Sequence, residues 1–405
     1  MQRCGKKGHS KGENGPRRCL RACALFNKSG GPPQVDAIPG EAQREVRLPP
    51  NPRVLFVSEP HAGPYEYIFA RFPDAFARVG CALARLDPLA TSPEGYRKAL
   101  ESFKPDIFFG LLRHPLAIRK AADLLDLYHP MPALNWFQED PNFVTAVTVK
   151  ASRSFDYWFT QDPRTVPFWP TKAFFSPHAF DETVYFERHV ERMYDVSYIG
   201  QLGNEECTQM LWPYMRELAR YGRKALMALE RPMGPPLLPR LMEKALRTPH
   251  LRAFWQSLPV WQCVWKNPRD EAEKAILVSQ SKIHFALNRV RGPWEDAVKA
   301  LFPGYPLDRH GLFCQTKGRL LHATATGTLA LNDYVPELDE MFEVGKEIIT
   351  YECGNYEDVR DKLRYYLGHD EERQRIARAG SERARRQHTF VARIREIFDA
   401  VQAQG

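Results

Sequence analysis

The first regular pattern along the chain is a short apolar run, Val54-Leu55-Phe56-Val57, bounded by Pro52 and by Ser58-Glu59-Pro60. An apolar run of that length between turn residues predicts a strand buried on both faces. A rhythm follows it. Helical spacing over 65–79 leads through Gly80 to a strand at 81–86, and further strands fall at 106–110, 132–137 and 157–160. The stretches between them, 92–103, 116–127 and 143–152, carry helical spacing. Strands alternating with helices predict βαβ units and a parallel, doubly wound sheet.

Residues 161–194 break that rhythm. Pro163, Pro167, Pro170 and Pro177 stand there among Phe, Tyr and charged residues, the composition of a connection between domains. A second series opens with a strand at 195–200 that runs into Gly200, followed by a helix at 206–221. Residues 230–270 are rich in proline and show no clear period. Beyond them come helices at 269–279, 319–325 and 356–367, strands at 283–287, 328–331 and 347–351, and one long arginine-rich helix over 370–401. The chain therefore reads as α/β, with two Rossmann-like doubly wound domains facing across a cleft. The expected divisions are a disordered basic leader (1–50), an N-terminal domain (51–180), a C-terminal domain (181–385) and a last helix (386–405) that has the option of crossing back to the first domain.

Composition narrows the reading. At 405 residues, 43% hydrophobic and 26% charged, the chain has the size and balance of two globular domains. No run approaches the roughly 18 apolar residues of a membrane span. The leader holds ten Lys and Arg against four Asp and Glu, so most of the net charge of +8 lies there and the body is almost neutral. A basic tail on a neutral body is weak evidence for a nucleic-acid enzyme, and no nucleic-acid partner is expected. The eight cysteines are scattered, which suits reduced thiols and a cytoplasmic setting. Cys4, His9, Cys19 and Cys23 match no paired zinc-loop spacing, so no metal is expected.

Candidate chemistry gathers at 315–328. Lys317 and Arg319 flank Gly318 at a predicted helix start, and Ala323, Ala325 and Gly327 make its far end small. Free N–H groups plus two cations suit a diphosphate, although Lys317 and Arg319 also fit as plain surface cations at a loop. The chain has no Asp-x-Asp pair to grip a divalent ion, no P-loop and no GxGxxG. A diphosphate bound here would be neutralised by Lys, Arg and backbone amides, with no cofactor.

Several segments carry a family likeness: Ser281-Lys282-Ile283 with Leu287-Asn288, Lys317-Gly318-Arg319, Gly327, Asp333-Tyr334-Val335-Pro336-Glu337-Leu338 and Gly345-Lys346-Glu347-Ile348. Upstream, Asp140-Pro141, Phe155-Asp156-Tyr157 and Ser176-Pro177-His178-Ala179-Phe180-Asp181 add a looser match. Over about 53–400 the chain resembles the CgeB-like (spore-maturation-protein-like) family of GT-B glycosyltransferases. The resemblance implies a GT-B fold, an acceptor-binding first domain, and a second domain holding a nucleotide-diphosphate sugar as substrate. It implies transfer of a hexosyl-type sugar to an acceptor it does not identify (glycan, protein or small molecule), in an oligomeric state it does not fix. Carried over by position, Gly200 and Gln201 line the cleft beside the donor, Lys317 and Arg319 face the diphosphate, and the Thr326-Gly327-Thr328 turn abuts it. Two glutamates eight residues apart contact the donor in related enzymes, and here Cys314 and His322 stand at those places. His322 is left as a hydrogen-bonding group that brings no fixed negative charge, which opens a second reading: a nucleotide- or glycan-binding protein without turnover.

The remaining candidates each carry two readings. Asp140, beyond the fourth strand, is either a base for an acceptor hydroxyl or the cap of the next helix. Glu59 and His61 follow the first strand in a loop that meets an acceptor or simply braces the sheet, and His178 is read on the acceptor side or as structural. Asp333 and Glu337 follow a strand of the second domain and are read as holding a sugar hydroxyl, or as framework, and Asn288 is read as a donor contact.

Overall fold

The computed structural model describes residues 48–60, 66–139, 141, 144–200, 205–229, 249, 263–266, 268–292 and 294–404. His61, Asp140, Gln201, the leader up to residue 47 with its Cys4, His9, Cys19 and Cys23, and most of 230–270 lie outside them. Residues 44–405 belong to one compact unit built on two parallel six-stranded sheets.

The first sheet runs from β1 (Arg53–Val57) through α1 (Glu66–Val79), β2 (Ala82–Leu86), α2 (Pro93–Phe103), β3 (Ile107–Gly110), α3 (Pro115–Leu127), β4 (Ala133–Phe137), α4 (Ala146–Ala151) and β5 (Tyr157–Thr160) to β6 (Lys172–Phe175). Its strand order is β2-β1-β3-β4-β5-β6, every pair parallel. Local chemistry places the helix starts. Ser92 accepts from the Gly95 amide at 3.1 Å ahead of Pro93, and Thr145 accepts from Thr148 at 3.1 Å; both are side-chain caps on an otherwise unsatisfied first turn. The sixth strand is a departure from the sequence reading, which treats all of 161–194 as connection. Four residues between Pro170 and Pro177 carry too little pattern to announce a strand, and pairing with β5 makes them one.

The second sheet is built from β7 (Tyr194–Gly200), α5 (Glu205–Ala219), β8 (Ala225–Leu229), β9 (Val264–Lys266), α6 (Glu271–Ser279) and β10 (Ser281–Ala286). An excursion over 289–314 follows, with β11 (Arg289–Val290), α7 (Glu295–Leu301) and β12 (Phe313–Cys314). The chain then returns through α8 (Gly318–Ala325), β13 (Leu329–Asp333), α9 (Leu338–Met341), β14 (Ile349–Tyr351) and α10 (Tyr356–Gly368). Its order is β14-β13-β10-β7-β8-β9, again all parallel. Sequence pattern had given no strand at β8 or β9 and no structure to the excursion.

The last segment is two helices rather than one. α11 (Asp370–Gln387) ends at His388, and Thr389 caps α12 (Phe390–Gln402) by accepting from the Ala392 amide at 3.1 Å. The break turns the chain. α12 lays Phe390, Ile394, Ile397, Phe398 and Val401 against Phe56, Phe72, Phe76 and Phe109 of the first sheet, with Phe72 and Phe390 edge to face at 5.1 Å. The excursion makes a second crossing: Phe302 stacks on Phe168 at 5.2 Å and meets Trp169 edge-on at 5.4 Å. Two of the four hydrophobic clusters are thus shared by both halves of the molecule.

Candidate functional site

In each sheet the direction of travel reverses once: between β1 and β3 in the first, between β7 and β10 in the second. Doubly wound sheets open a crevice beyond the strand C-termini at such a switch point. In the second sheet that crevice lies beyond Gly200 and Ala286.

Gly200 has a steric reason to be glycine. The guanidinium of Arg319 lies where a Cβ would stand, and the Tyr198 hydroxyl is 2.9 Å from that point. Arg319 is held there by donating from Nη1 to the Tyr198 hydroxyl at 2.9 Å, with its guanidinium 5.4 Å from the centre of that ring. It belongs to the first turn of α8, whose preceding residue, Lys317, supplies no side-chain cap. A half-exposed arginine, a half-exposed lysine and helix-start amides therefore face the crevice together, the ingredients of an anion site.

The framework beneath is polar and buried. Asn288 accepts from the Lys317 amide at 3.2 Å and receives the Gln315 amide on its own carbonyl at 2.6 Å. Asp333 in turn accepts from the Asn288 amide at 2.5 Å and from Arg289 Nη1 at 2.6 Å, and Arg289 also pairs with Asp308. Asn288 and Asp333 are fully buried within this lattice, where Asn288 Oδ1 holds the Lys317 amide in place.

The Thr326-Gly327-Thr328 turn lies apart from this group. It follows the C-terminus of α8, about 12 Å along the axis from the helix start for eight residues. There Arg192 caps the last carbonyls, donating to Thr326 O at 3.2 Å, Gly327 O at 2.9 Å and Thr328 Oγ1 at 2.6 Å. The resemblance puts the turn at the diphosphate, whereas the helix carries it to the N-terminal end of β13.

His322 lies one turn into α8, its ring stacked on Tyr185 at 3.9 Å and 4°. Burial depresses its basicity far below the usual value, and Lys274, His284, His178 and Arg319 push the same way. Its Nδ1 has no hydrogen-bond partner. His178 is held down to about 3 by burial, with Lys317 and Arg393 adding to it. It is therefore a neutral imidazole within the field of Lys317 and Arg393. Glu59 sits at the switch point of the first sheet, where it accepts from the Arg113 amide at 3.1 Å and the His114 amide at 2.9 Å, bracing two loops together. Cys314 is fully buried, and its thiol is pushed up to about 12 by that burial.

One constellation escaped sequence reasoning. Arg164, beyond β5, donates from Nη2 to the Cys314 carbonyl and to Glu337 Oε1, both at 3.3 Å, and pairs with Asp162 at 2.7 Å. Tyr305 donates its hydroxyl to Asp162. Glu337 accepts from Thr316 Oγ1 at 3.2 Å and is 1% exposed. Glu337 is a donor candidate of the sequence, but its partners are not, and their only signal there is the Gln161-Asp162-Pro163-Arg164 cluster at a strand end. Among the described residues no group of three or more His, Cys, Asp or Glu side chains is arranged to hold a metal ion, and no helix is long and apolar enough to cross a membrane.

The paired sheets are the GT-B fold. A sucrose-phosphate synthase from Thermosynechococcus elongatus superposes over 87% of this chain and 100% of its own, with a TM-score of 0.59 at 9% identity. Anabaena HepE, solved with UDP-glucose, gives a TM-score of 0.57 at 11% identity over 87% of this chain and 100% of that one. A glycosyltransferase from Rickettsia africae gives 0.55 at 9% identity over 87% and 99%. Residues 239–399, the stretch that holds α8 and Glu337, match the Glycosyl transferase-like family. A comparison with curated proteins returns no match.

Proposed function

We propose that this protein transfers a glycosyl unit from a nucleotide-diphosphate sugar to an acceptor, without a metal ion. The carrying observation is the Arg319 guanidinium seated over Gly200 at the switch point of the second sheet, beside Lys317 and the start of α8. In such a transfer the bond from the anomeric carbon to the diphosphate oxygen breaks, and its electron pair stays with the diphosphate. Cations and amides already pointed at that oxygen stabilise the charge as it develops, which lowers the barrier rather than merely tightening binding. The family match over 239–399 and the fold shared with HepE solved with UDP-glucose support the same reading. We take the sugar to be of hexosyl type, the likeness to be to the CgeB-like branch, and the setting to be cytoplasmic.

The test is a thermal-shift screen against UDP-, GDP-, dTDP- and ADP-sugars with EDTA present. A ligand at about 100 times its Kd adds roughly 2.7 kcal/mol of stability. The expected outcome is a clear rise with one nucleotide, abolished in Lys317→Ala/Arg319→Ala. No rise with any, or a rise untouched by the double substitution, rejects the assignment.

A second reading rests on Cys314 and His322, a buried thiol and a neutral imidazole where the resemblance expects carboxylates. It makes the chain a nucleotide-binding protein without turnover. Steady donor hydrolysis or transfer, lost in His322→Ala, would dismiss it.

A further inference from the structure

A cavity of about 560 Å³ opens where the chain crosses between its halves. It is lined by Phe175 and Pro177 at the end of β6, Met341 of α9, and Gln387, His388 and Ala392 around the break between α11 and α12. Cavities of that volume hold small organic ligands. Its lining includes neither Gly200, Lys317 nor Arg319, so it is distinct from the crevice of the second sheet. Arg393 also lines it, although that side chain is almost wholly buried. Its Nη1 donates to Glu396 and its Nη2 to His388 Nδ1 at 3.1 Å, while His388 Nε2 donates onward to the Met341 carbonyl at 3.0 Å. Both nitrogens of the imidazole are thereby used, and it has no further acceptor to offer. Arg393 Nε is left buried with no hydrogen-bond partner. A buried donor without an acceptor is costly, and each such group in a folded protein calls for a reason. The cavity lined by the same side chain supplies one: an acceptor brought in by a ligand.

The rest of the lining says what kind of ligand. Arg386 and Arg395 are exposed and add two cations to Arg393, while Glu340, Glu396 and Asp399 add carboxylates in equal number. A lining so balanced gives no net attraction for a polyanion such as a nucleotide or a polyphosphate. It suits a molecule that carries both signs, with its carboxylate on a guanidinium and its ammonium on a carboxylate. Phe175, Pro177, Met341 and Ala392 add an apolar wall. We propose that this cavity is a second ligand site, taking a small amino carboxylate with an apolar side chain, whose carboxylate accepts from Arg393 Nε. The site stands independently of the donor reading. Its occupant touches β6 of the first half, α9 of the second and the α12 that passes from one to the other, so binding should tighten the joint between them.

The experiment screens the proteinogenic L-amino acids by thermal shift on the full chain, then takes those that raise the melting temperature to calorimetry. Each is compared with its N-acetyl form, which lacks the ammonium, with its amide, which lacks the carboxylate, and with inorganic phosphate. The expected result is binding of one or a few apolar amino acids, with both derivatives weaker by about tenfold or more. Arg393→Met should abolish that binding, and Arg386→Gln/Arg395→Gln should weaken it by about tenfold. Arg393→Met removes a buried group, so the exposed double variant decides the matter if the single one does not fold. Excess UDP should leave the amino-acid affinity unchanged. The proposal is overturned if no amino acid binds, if the N-acetyl form or phosphate binds as tightly, if UDP displaces the amino acid, or if binding is indifferent to the double variant. None of those outcomes touches the donor reading.

Discussion

Gly200 shows how much of a site can rest on an absent side chain. Its empty position is where the Arg319 guanidinium lies, so Gly200→Ala should displace that group without disturbing the strand. The expected outcome is a loss of diphosphate affinity of about tenfold, equivalent to roughly 1.4 kcal/mol, with little change in melting temperature; calorimetry on the folded variant checks it. The buried histidines set a second behaviour at this scale. His284, hydrogen-bonded to Ser197, and His388, bonded to Met341 O, are both held down to about 3 by burial. An unfolded imidazole titrates near 6.5, so below that pH the unfolded chain takes up protons that the folded one refuses. Stability therefore falls as the solution is acidified from about pH 6.5 towards 3, by up to about 1.4 kcal/mol per pH unit for each histidine. Glu337 works in the opposite sense: its raised carboxyl contributes stability below its unfolded value, lost as pH rises to about 7. His178 and His322 are displaced in the same sense, so four histidines stand against Glu337 and the acid side should dominate. Urea denaturation at pH 5 and pH 7 should show a lower midpoint at pH 5, and His284→Gln should narrow the gap.

Elements differ in how plainly the chain announces them. β1, β3, β4, β5 and β7 are apolar runs bounded by turn residues, and their local pattern was enough to place them and the doubly wound class. Within the site, Lys317 and Arg319 were legible because cations beside a glycine at a helix start have a local meaning. Arg164 and Glu337 were not legible as a pair, being 173 residues apart and joined only when the halves meet. The excursion over 289–314 was silent for a related reason: its Trp294, Phe302 and Tyr305 sit among prolines, and their partners lie in the other half. The break at His388-Thr389 contains neither Gly nor Pro, so an unbroken arginine-rich helix was the natural reading; the threonine cap is the one local cue. Thr389→Ala should cost about 1 kcal/mol, the ordinary value of a lost N-cap. Phe302→Ala should cost about 3–5 kcal/mol, since it opens a cavity between two aromatic rings from the first half. Chemical denaturation of the two variants checks both figures.

At the scale of the whole molecule, the cleft is crossed by three ties: the excursion on Phe168 and Trp169, α12 on the first sheet, and Arg164 on Glu337 and the Cys314 carbonyl. Packed aromatic contacts resist continuous deformation. Donor binding should therefore proceed without a large closing motion, and the radius of gyration measured by small-angle X-ray scattering should be the same with and without a saturating nucleotide sugar. A contraction on binding would mean that the ties slip.

The crossing of α12 also has a consequence in time. Phe56, Phe72, Phe76 and Phe109 are made early, and the residues that cover them, Phe390 to Val401, come almost three hundred positions later. At about 5–20 residues per second, the stretch from 181 to 389 takes roughly 10–40 s to synthesise. Throughout that interval the first sheet waits with an aromatic face open to the solvent, a prime surface for chaperones. A fragment of residues 48–180 should bind a hydrophobic dye strongly, and a synthetic peptide spanning 388–404 should suppress that signal. The gene order of this protein thus leaves its earliest half among the last parts to be finished.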